Sequence, residues 1–210
     1  MTPTFQNLSS EKRGRVLRAA EEEFALRGYD AAKMSAIAQG AGVSVGALYK
    51  YFENKQDLYL GVIRHSVAGM EQLLTALSHT DEDILVKAER ILREIQRFSR
   101  SDRMPVKLYQ GAAAQSDPAT AARFAGEIEA VTARIYCQAI REAQAAGEVR
   151  PDVDASFAAY LLHSLFMMLQ FSYSCEYHAQ RLQIYAGADV LERDDFVVEE
   201  MLKFLKSALK

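Results

Sequence analysis

Apolar residues recur at helical spacing along nearly the whole chain, and short polar or glycine-containing segments separate these runs. The spacing of Val16, Ala20 and Phe24 predicts a first long helix that ends at Gly28, since glycine readily adopts the positive φ that follows a helix. Residues 1–9 show no such pattern and are predicted to form a flexible arm. The chain as a whole, with four prolines and no tryptophan, is typical of an all-α protein.

Two short apolar patterns flank Gly42 within residues 33–55. Gly42 can end the first helix, and Ser44 is a good N-cap for the second, residues 45–52. Two short helices joined by a tight turn form a helix-turn-helix. The second helix is expected to bury Leu48 and Phe52 and to turn four residues to solvent: Ala47, Tyr49, Lys50 and Tyr51. A short helix with an aromatic and basic outer face suits insertion into a DNA major groove.

The segment IAQGAGVSVGALYKYFENKQDL, residues 37–58, resembles the DNA-binding signature of the TetR family of transcriptional regulators. The resemblance is strong over residues 13–62. It implies a three-helix DNA-binding head in residues 1–54 and, through a linking helix from about residue 55, a helical ligand-binding and dimerisation body in residues 55–210. By position, it implies DNA contacts from Ser35, Ser44, Gly46, Ala47, Tyr49, Lys50, Tyr51 and Lys55.

Two positions depart from the family pattern. Lys33 stands where the family usually has a threonine N-cap, and Val45 stands where a lysine is common. The Lys33 ammonium can still reach a phosphate, but no phosphate contact is expected from Val45.

A formal charge of −3 is not what a DNA-binding protein is expected to carry. The charge is, however, unevenly distributed between the N-terminal part of the chain and the remainder. Residues 1–64 hold 9 Lys and Arg against 7 Asp and Glu, a balance of +2, and the remainder carries −5. This asymmetry agrees with a small DNA-reading head on an acidic body.

The C-terminal third contains a 21-residue segment, 155–175, without a formal charge. It is long enough to span a bilayer, but its serines, His163 and Gln170 and its acidic flanks favour a helix buried in a soluble, cytoplasmic protein. Asp154 is its expected N-cap, and the helix is expected to continue toward Gly187. A last helix begins near Asp194.

An apolar helix of this kind needs a packing partner on each side. The core of its own chain can cover one side, and a second copy of the chain is the simplest partner for the other. The resemblance likewise implies a homodimer through the two C-terminal helices. Such a dimer presents two recognition helices to a pseudo-palindromic double-stranded DNA operator.

Aromatic and sulfur-containing side chains are frequent in the body, and such a mixture lines adaptable apolar pockets as well as ordinary cores. The resemblance implies a small, often lipophilic effector that releases a repressor from its operator. Lys107 is a further polar candidate, and the candidate effector-binding residues are Met104, Leu108, Phe124, Ile128, Tyr136, His163, Phe166, Met167 and Gln170.

Enzyme and metal functions find little support in the sequence. The four histidines lie in separate segments, and no nucleophile elbow, phosphate-binding glycine loop or zinc-binding motif is present. Cys137, Cys175 and His178 could share a metal, but they are more typical of buried thiols and a packed histidine. We therefore expect no catalysis, metal or cofactor. The alternative is a helical small-molecule-binding or catalytic protein whose helix-turn-helix contacts another protein.

Overall fold

The computed structural model describes residues 1–115 and 117–210, which form helices and connecting turns with no strand among them. This confirms the predicted all-α fold. The helices are α1 (Pro3–Gln6), α2 (Ser10–Ala31), α3 (Met34–Ala41), α4 (Val45–Tyr51), α5 (Lys55–Ser78), α6 (Ile84–Ser101), α7 (Met104–Ala113), α8 (Pro118–Ala145), α9 (Ala155–Ser174), α10 (Glu176–Ala186) and α11 (Asp194–Leu209). A 3-10 turn, Val190–Glu192, precedes α11.

Local capping chemistry sets several of the helix ends. The side chains of Ser44, Asn54, Asp117 and Asp154 each accept a hydrogen bond from a backbone N–H in the first turn of the following helix, at 2.8 to 3.1 Å. These bonds satisfy donors that have no partner inside the helix. The regular part of α2 ends at Gly28, whose φ of 73° confirms the predicted stop.

The chain forms two compact units. The N-terminal unit comprises Met1–Gly69 and Lys107–Glu129, and the C-terminal unit comprises Met70–Val106 and Ala130–Lys210. Both units include parts of α5, α7 and α8. These units are defined by packing, and the division into functional domains at residue 54 remains a prediction.

The core of the N-terminal unit fixes α4 against α2, α3 and α5. Leu48 and Phe52 are fully buried, as predicted, and Ala38 is buried beside them. The Tyr59 hydroxyl donates a hydrogen bond to the Leu108 carbonyl at 2.7 Å. Packing therefore determines the orientation of the two helix-turn-helix elements.

The prediction of a flexible arm at residues 1–9 is wrong. This segment contains the short helix α1, and Phe5 is buried in the core of the N-terminal unit. One aromatic residue in a short polar segment produces no periodicity, and the aromatic rings that contact Phe5, those of Tyr51 and Phe52, lie more than 40 residues away in the sequence.

A polar cluster in the C-terminal unit holds α11 on α6. The Arg100 guanidinium donates to both carboxylate oxygens of Asp194, and the Tyr173 hydroxyl donates to Asp194 at 2.9 Å. The buried Gln96 amide donates to the Tyr173 hydroxyl at 3.0 Å. The hydrogen bonds from Arg100 and then Tyr173 hold the pKa of Asp194 below its ordinary value.

The expected continuous helix after Asp154 is broken at Cys175, where φ −126° and ψ 126° separate α9 from α10. No glycine or proline marks this break. The expectation that α9 is buried on nearly all sides does not hold within a single chain. One face packs in the C-terminal unit, and the other leaves Phe157, Tyr160 and Leu161 exposed.

Candidate functional site

The turn between α3 and α4 has the geometry of a helix-turn-helix. Gly42 ends α3 with φ 67° and ψ 38°, and its N–H donates to the Ala38 and Gln39 carbonyls. The Val43 N–H also donates to Ala38, at 3.0 Å. Ser44 then caps α4. Because glycine adopts this left-handed conformation without strain, Gly42 lets α4 follow α3 through a short turn.

The outer face of α4 carries an exposed aromatic and an exposed basic side chain. Tyr49 is 53% exposed, and Lys50 and Gly46 are also exposed. Lys50 forms no ion pair with the residues that the structure describes. A free ammonium beside an exposed phenol can bind phosphate oxygens or base edges.

The remaining predicted DNA contacts occupy different settings. Ser35 is exposed in the first turn of α3, and Ser44 is exposed while its hydroxyl caps α4. Ala47 is half-buried against the core. These positions border the outer face of α4, and their contacts with DNA remain predictions.

Tyr51 does not face solvent, contrary to the expectation from the sequence. It is 6% exposed, and its ring centroid lies 5.9 Å from that of Phe5. The burial follows from the packing of α1, which covers the side of α4 that helical spacing alone left open. The DNA contact assigned to Tyr51 by resemblance remains a prediction.

Lys55 is engaged within the protein. Its ammonium donates to the Asp30 carbonyl at 2.9 Å and lies 5.0 Å from the centroid of the Tyr29 ring. Partial burial lowers its pKa, although the charge of Asp30 opposes this shift. If the Lys55 ammonium contacts a phosphate, it must do so while keeping these interactions or by giving them up.

The C-terminal unit contains an apolar cavity of about 30 Å³ between α5, α6, α8 and α9. Tyr136 and Phe166, two of the predicted effector-binding residues, line it together with Leu74, Leu77, Ile91 and Leu162. Among the residues that the structure describes, Lys87 is the only charged one in this lining. Nothing in the sequence marked Lys87 as part of a site.

Two polar side chains of this cavity form no side-chain hydrogen bond within the described parts of the chain. The Tyr136 side chain is buried, and its hydroxyl forms no hydrogen bond there; this burial raises the pKa of Tyr136. The Lys87 ammonium forms no hydrogen bond or close ion pair with the described residues, but it interacts electrostatically with Glu82. The Tyr136 hydroxyl can offer a hydrogen bond to a bound molecule.

The other predicted effector-binding residues are distributed over both units. Leu108 and Phe124 belong to the core of the N-terminal unit, and Ile128 packs against it. In the C-terminal unit, the His163 ring stacks on Tyr136 with centroids 5.3 Å apart. Three residues of that unit are half-buried outside the cavity lining: Met104, Met167 and Gln170. A common role for these nine residues in effector binding remains a prediction.

Cys137 and Cys175 are free thiols. Across the residues that the structure describes, no three His, Cys, Asp or Glu side chains lie close enough to hold a metal ion together. One helix, α9, has the length and apolar composition that would allow it to cross a membrane.

The helix-turn-helix, its exposed aromatic and basic face and the separate helical unit define a DNA-binding transcriptional regulator. Residues 16–62 match the sequence model described as "Bacterial regulatory proteins, tetR family". This match and the similarity to known regulators of the family confirm the resemblance to the TetR family that was inferred from residues 37–58.

Individual relatives extend this match. FasR of Mycolicibacterium smegmatis, a transcriptional activator, is 37% identical over 98 residues, which span 45% of this chain and 45% of that protein. UidR of Escherichia coli strain K12 is 25% identical over 169 residues, 79% of this chain and 83% of that protein. The chain therefore matches less than half of FasR but most of UidR.

A solved structure shows that the fold extends beyond the DNA-binding head. FadR of Bacillus subtilis, in complex with stearoyl-CoA, superposes with a TM-score of 0.72 at 19% identity. The match covers 94% of this chain and 99% of that one.

Proposed function

We propose that this protein is a homodimeric regulator that reads a pseudo-palindromic DNA operator with α4 and changes its affinity when a lipophilic effector binds. The observation that carries the proposal is the exposed face of α4, where Tyr49 and the unpaired Lys50 project from a rigidly capped helix-turn-helix. Lys50 supplies phosphate affinity and Tyr49 supplies a base-edge or phosphate contact.

The second copy is proposed to cover the apolar face of α9. Phe157, Tyr160, Leu161 and Met168 are exposed at helical spacing along this face. In α11, Phe196 and Phe204 are exposed as well. Contiguous apolar surface of this kind marks an interaction site in a soluble protein. A symmetric dimer through α9 and α11 removes it from water and pairs the two recognition helices.

The effector is proposed to be a lipophilic molecule with a single polar or anionic group. The cavity lining is almost entirely apolar, which favours a hydrocarbon portion and disfavours a polyhydroxylated sugar. The Tyr136 hydroxyl and the Lys87 ammonium are the polar groups that could orient it. A fatty acyl compound fits this chemistry, in keeping with the stearoyl-CoA bound to the similarly folded FadR.

Effector binding is proposed to shift the protein between two states. A cavity of about 30 Å³ is far smaller than the roughly 300 to 1,000 Å³ of ordinary ligand pockets, so the helices around it must separate to admit the effector. A ligand that binds only the open state favours that state. The coupling between two sites in such proteins is typically about 1 to 3 kcal/mol, which corresponds to roughly fivefold to 150-fold in operator affinity.

We further propose that the protein works in the cytoplasm as a repressor, without catalysis or a cofactor, and that effector binding releases it from DNA. The exposed face of α9 then lies in a dimer interface, which explains why an apolar helix of membrane-spanning length is present. A promoter fusion in cells with and without the gene tests the direction: higher reporter output without the gene supports repression, and lower output contradicts it.

The effector proposal is tested by titrating stearate, stearoyl-CoA or stearyl alcohol, below the concentrations at which they form micelles, into the complex with a selected operator. We expect at least one of them to release the operator. Lys87→Met should weaken release by stearate about tenfold or more, because a charge-assisted hydrogen bond is lost, and should leave release by the alcohol unchanged.

Lys206→Met is the matched control, since Lys206 is an exposed lysine of α11 outside the cavity. If none of the three compounds binds the protein or changes operator affinity, the proposed effector class is wrong. If Lys87→Met and Lys206→Met change effector release equally, the role of Lys87 is wrong, but the proposed effector class is not contradicted.

A further inference from the structure

The segment comprising residues 2–8, here called the N-terminal strap, runs across the C-terminal end of α4. The Thr2 N–H donates to the Tyr51 carbonyl at 3.0 Å. The Thr2 hydroxyl lies 2.8 Å from the Lys50 carbonyl and 3.0 Å from that of Tyr51. The last carbonyls of a helix have no partner within the helix. The strap therefore caps the C-terminal end of α4 through hydrogen bonds to the backbone carbonyls of that helix.

The strap also packs against the core. Phe5 is 2% exposed, and its ring centroid lies 4.7 Å from that of Phe52. At the other end of the strap, the Arg13 guanidinium of α2 donates to the Gln6 and Leu8 carbonyls. The strap is thus fixed to α2 at one end and to α4 at the other.

Helix α4 depends on such contacts for its position. It has seven residues, and helices shorter than about 12 to 15 residues are marginal in water on their own. Tyr49 and Lys50 lie within one turn of the carbonyls that Thr2 caps. Because hydrogen bonds to bases and phosphates are directional, a small rotation of this end of α4 misaligns both side chains.

We propose that Thr2 and Phe5 are positioning residues for DNA recognition. They hold the C-terminal end of the recognition helix in the orientation that inserts Tyr49 and Lys50 into the groove, and they make no contact with DNA themselves. The proposal rests on the assignment of α4 as the recognition helix and adds a segment that helical periodicity does not reveal.

The test measures operator affinity as a function of salt, with the full-length protein and the duplex that the wild type selects from a random pool. Thr2→Val removes the hydroxyl and keeps the side-chain shape. We expect it to weaken binding by about tenfold, the equivalent of one or two neutral hydrogen bonds in a dimer. The slope of log K against log salt should stay unchanged, because no phosphate contact is lost.

Three further variants make the result specific. Thr4→Val is the matched control, since Thr4 is exposed in α1 and its side chain forms no hydrogen bond within the described residues; it should bind as the wild type does. Thr2→Ser retains the hydroxyl and should restore affinity. Phe5→Leu keeps an apolar side chain but loses the ring contacts, and should weaken binding with an unchanged salt slope.

Several results would overturn the proposal. Wild-type affinity in both Thr2→Val and Phe5→Leu would show that the strap does not position α4. A smaller salt slope in Thr2→Val would show that the strap binds DNA directly. So would a loss of operator affinity in Thr4→Val equal to that in Thr2→Val. Lys50→Ala tests the assignment of α4 separately: if its affinity and slope match those of the wild type, the recognition helix itself is misassigned.

Discussion

The exposed face of α9 gives a sharp quantitative prediction about the dimer. Phe157 is 61% exposed in the single chain. A phenylalanine presents about 200 Å², so a partner subunit can remove about 120 Å² of this side chain from water. At about 25 cal/mol per Å² this burial stabilises the dimer by about 3 kcal/mol.

Phe157→Ala should lose about two thirds of that free energy, because the alanine methyl still buries some area. The loss is about 2 kcal/mol per subunit, and a symmetric interface contains the residue twice. The dimer should therefore weaken by up to about 4 kcal/mol, roughly a thousandfold in its dissociation constant. This value is an upper bound, since it assumes complete burial of the ring.

Sedimentation velocity over a dilution series measures that dissociation constant directly. Leu26→Ala is the control, because Leu26 is 77% exposed on α2 and lies outside the proposed interface. We expect wild-type dimerisation for this control and dissociation for Phe157→Ala at micromolar concentration. Unchanged dimers in both Phe157→Ala and Tyr160→Ala would refute the assignment of α9 to the interface.

Three further predictions concern the DNA-binding face, the cavity and the polar cluster. Lys50→Ala should weaken operator binding and reduce the salt slope of a dimer by about 2, one phosphate contact per subunit; anisotropy titrations at several salt concentrations measure this, and an unchanged slope contradicts it. Ala139→Leu should fill the apolar cavity and abolish effector release while operator affinity stays intact, whereas exposed Ala145→Leu should respond normally. Asp194→Asn should lower the free energy of unfolding by about 1 to 2 kcal/mol at pH 7, because Arg100 loses its charged partner. Since the pKa of Asp194 is depressed in the folded state, this deficit should be full well above the ordinary aspartate pKa of about 4 and should shrink as the pH falls through the depressed pKa; a deficit in denaturant titrations that does not shrink at all between pH 7 and about pH 2 would contradict it.

The sequence predicted the helix boundaries where local chemistry determines them. Ser44 and Asp154 cap helices through their own side chains, and Gly28 and Gly42 adopt positive φ at helix ends. These signals lie within a few residues of the structure that they cause, which is why a single sequence is enough to read them.

Features that depend on distant contacts were missed or misplaced. The burial of Tyr51 and the ordered strap both result from the packing of Phe5 in a core formed mostly by later residues. The break at Cys175 has no local cause in the sequence. The candidate effector residues share apolar character, yet Phe124 and Tyr136 belong to the cores of different units, a division that composition does not encode.

The central claim is that α4 reads DNA as part of a symmetric dimer. Selection of duplexes from a random pool by the purified protein, followed by a salt titration of the enriched sequence, tests it most directly. We predict an inverted repeat whose affinity falls steeply as salt rises. If folded, dimeric protein freed of co-purified ligand enriches no sequence at low salt, the helix-turn-helix does not recognise DNA and the account is wrong.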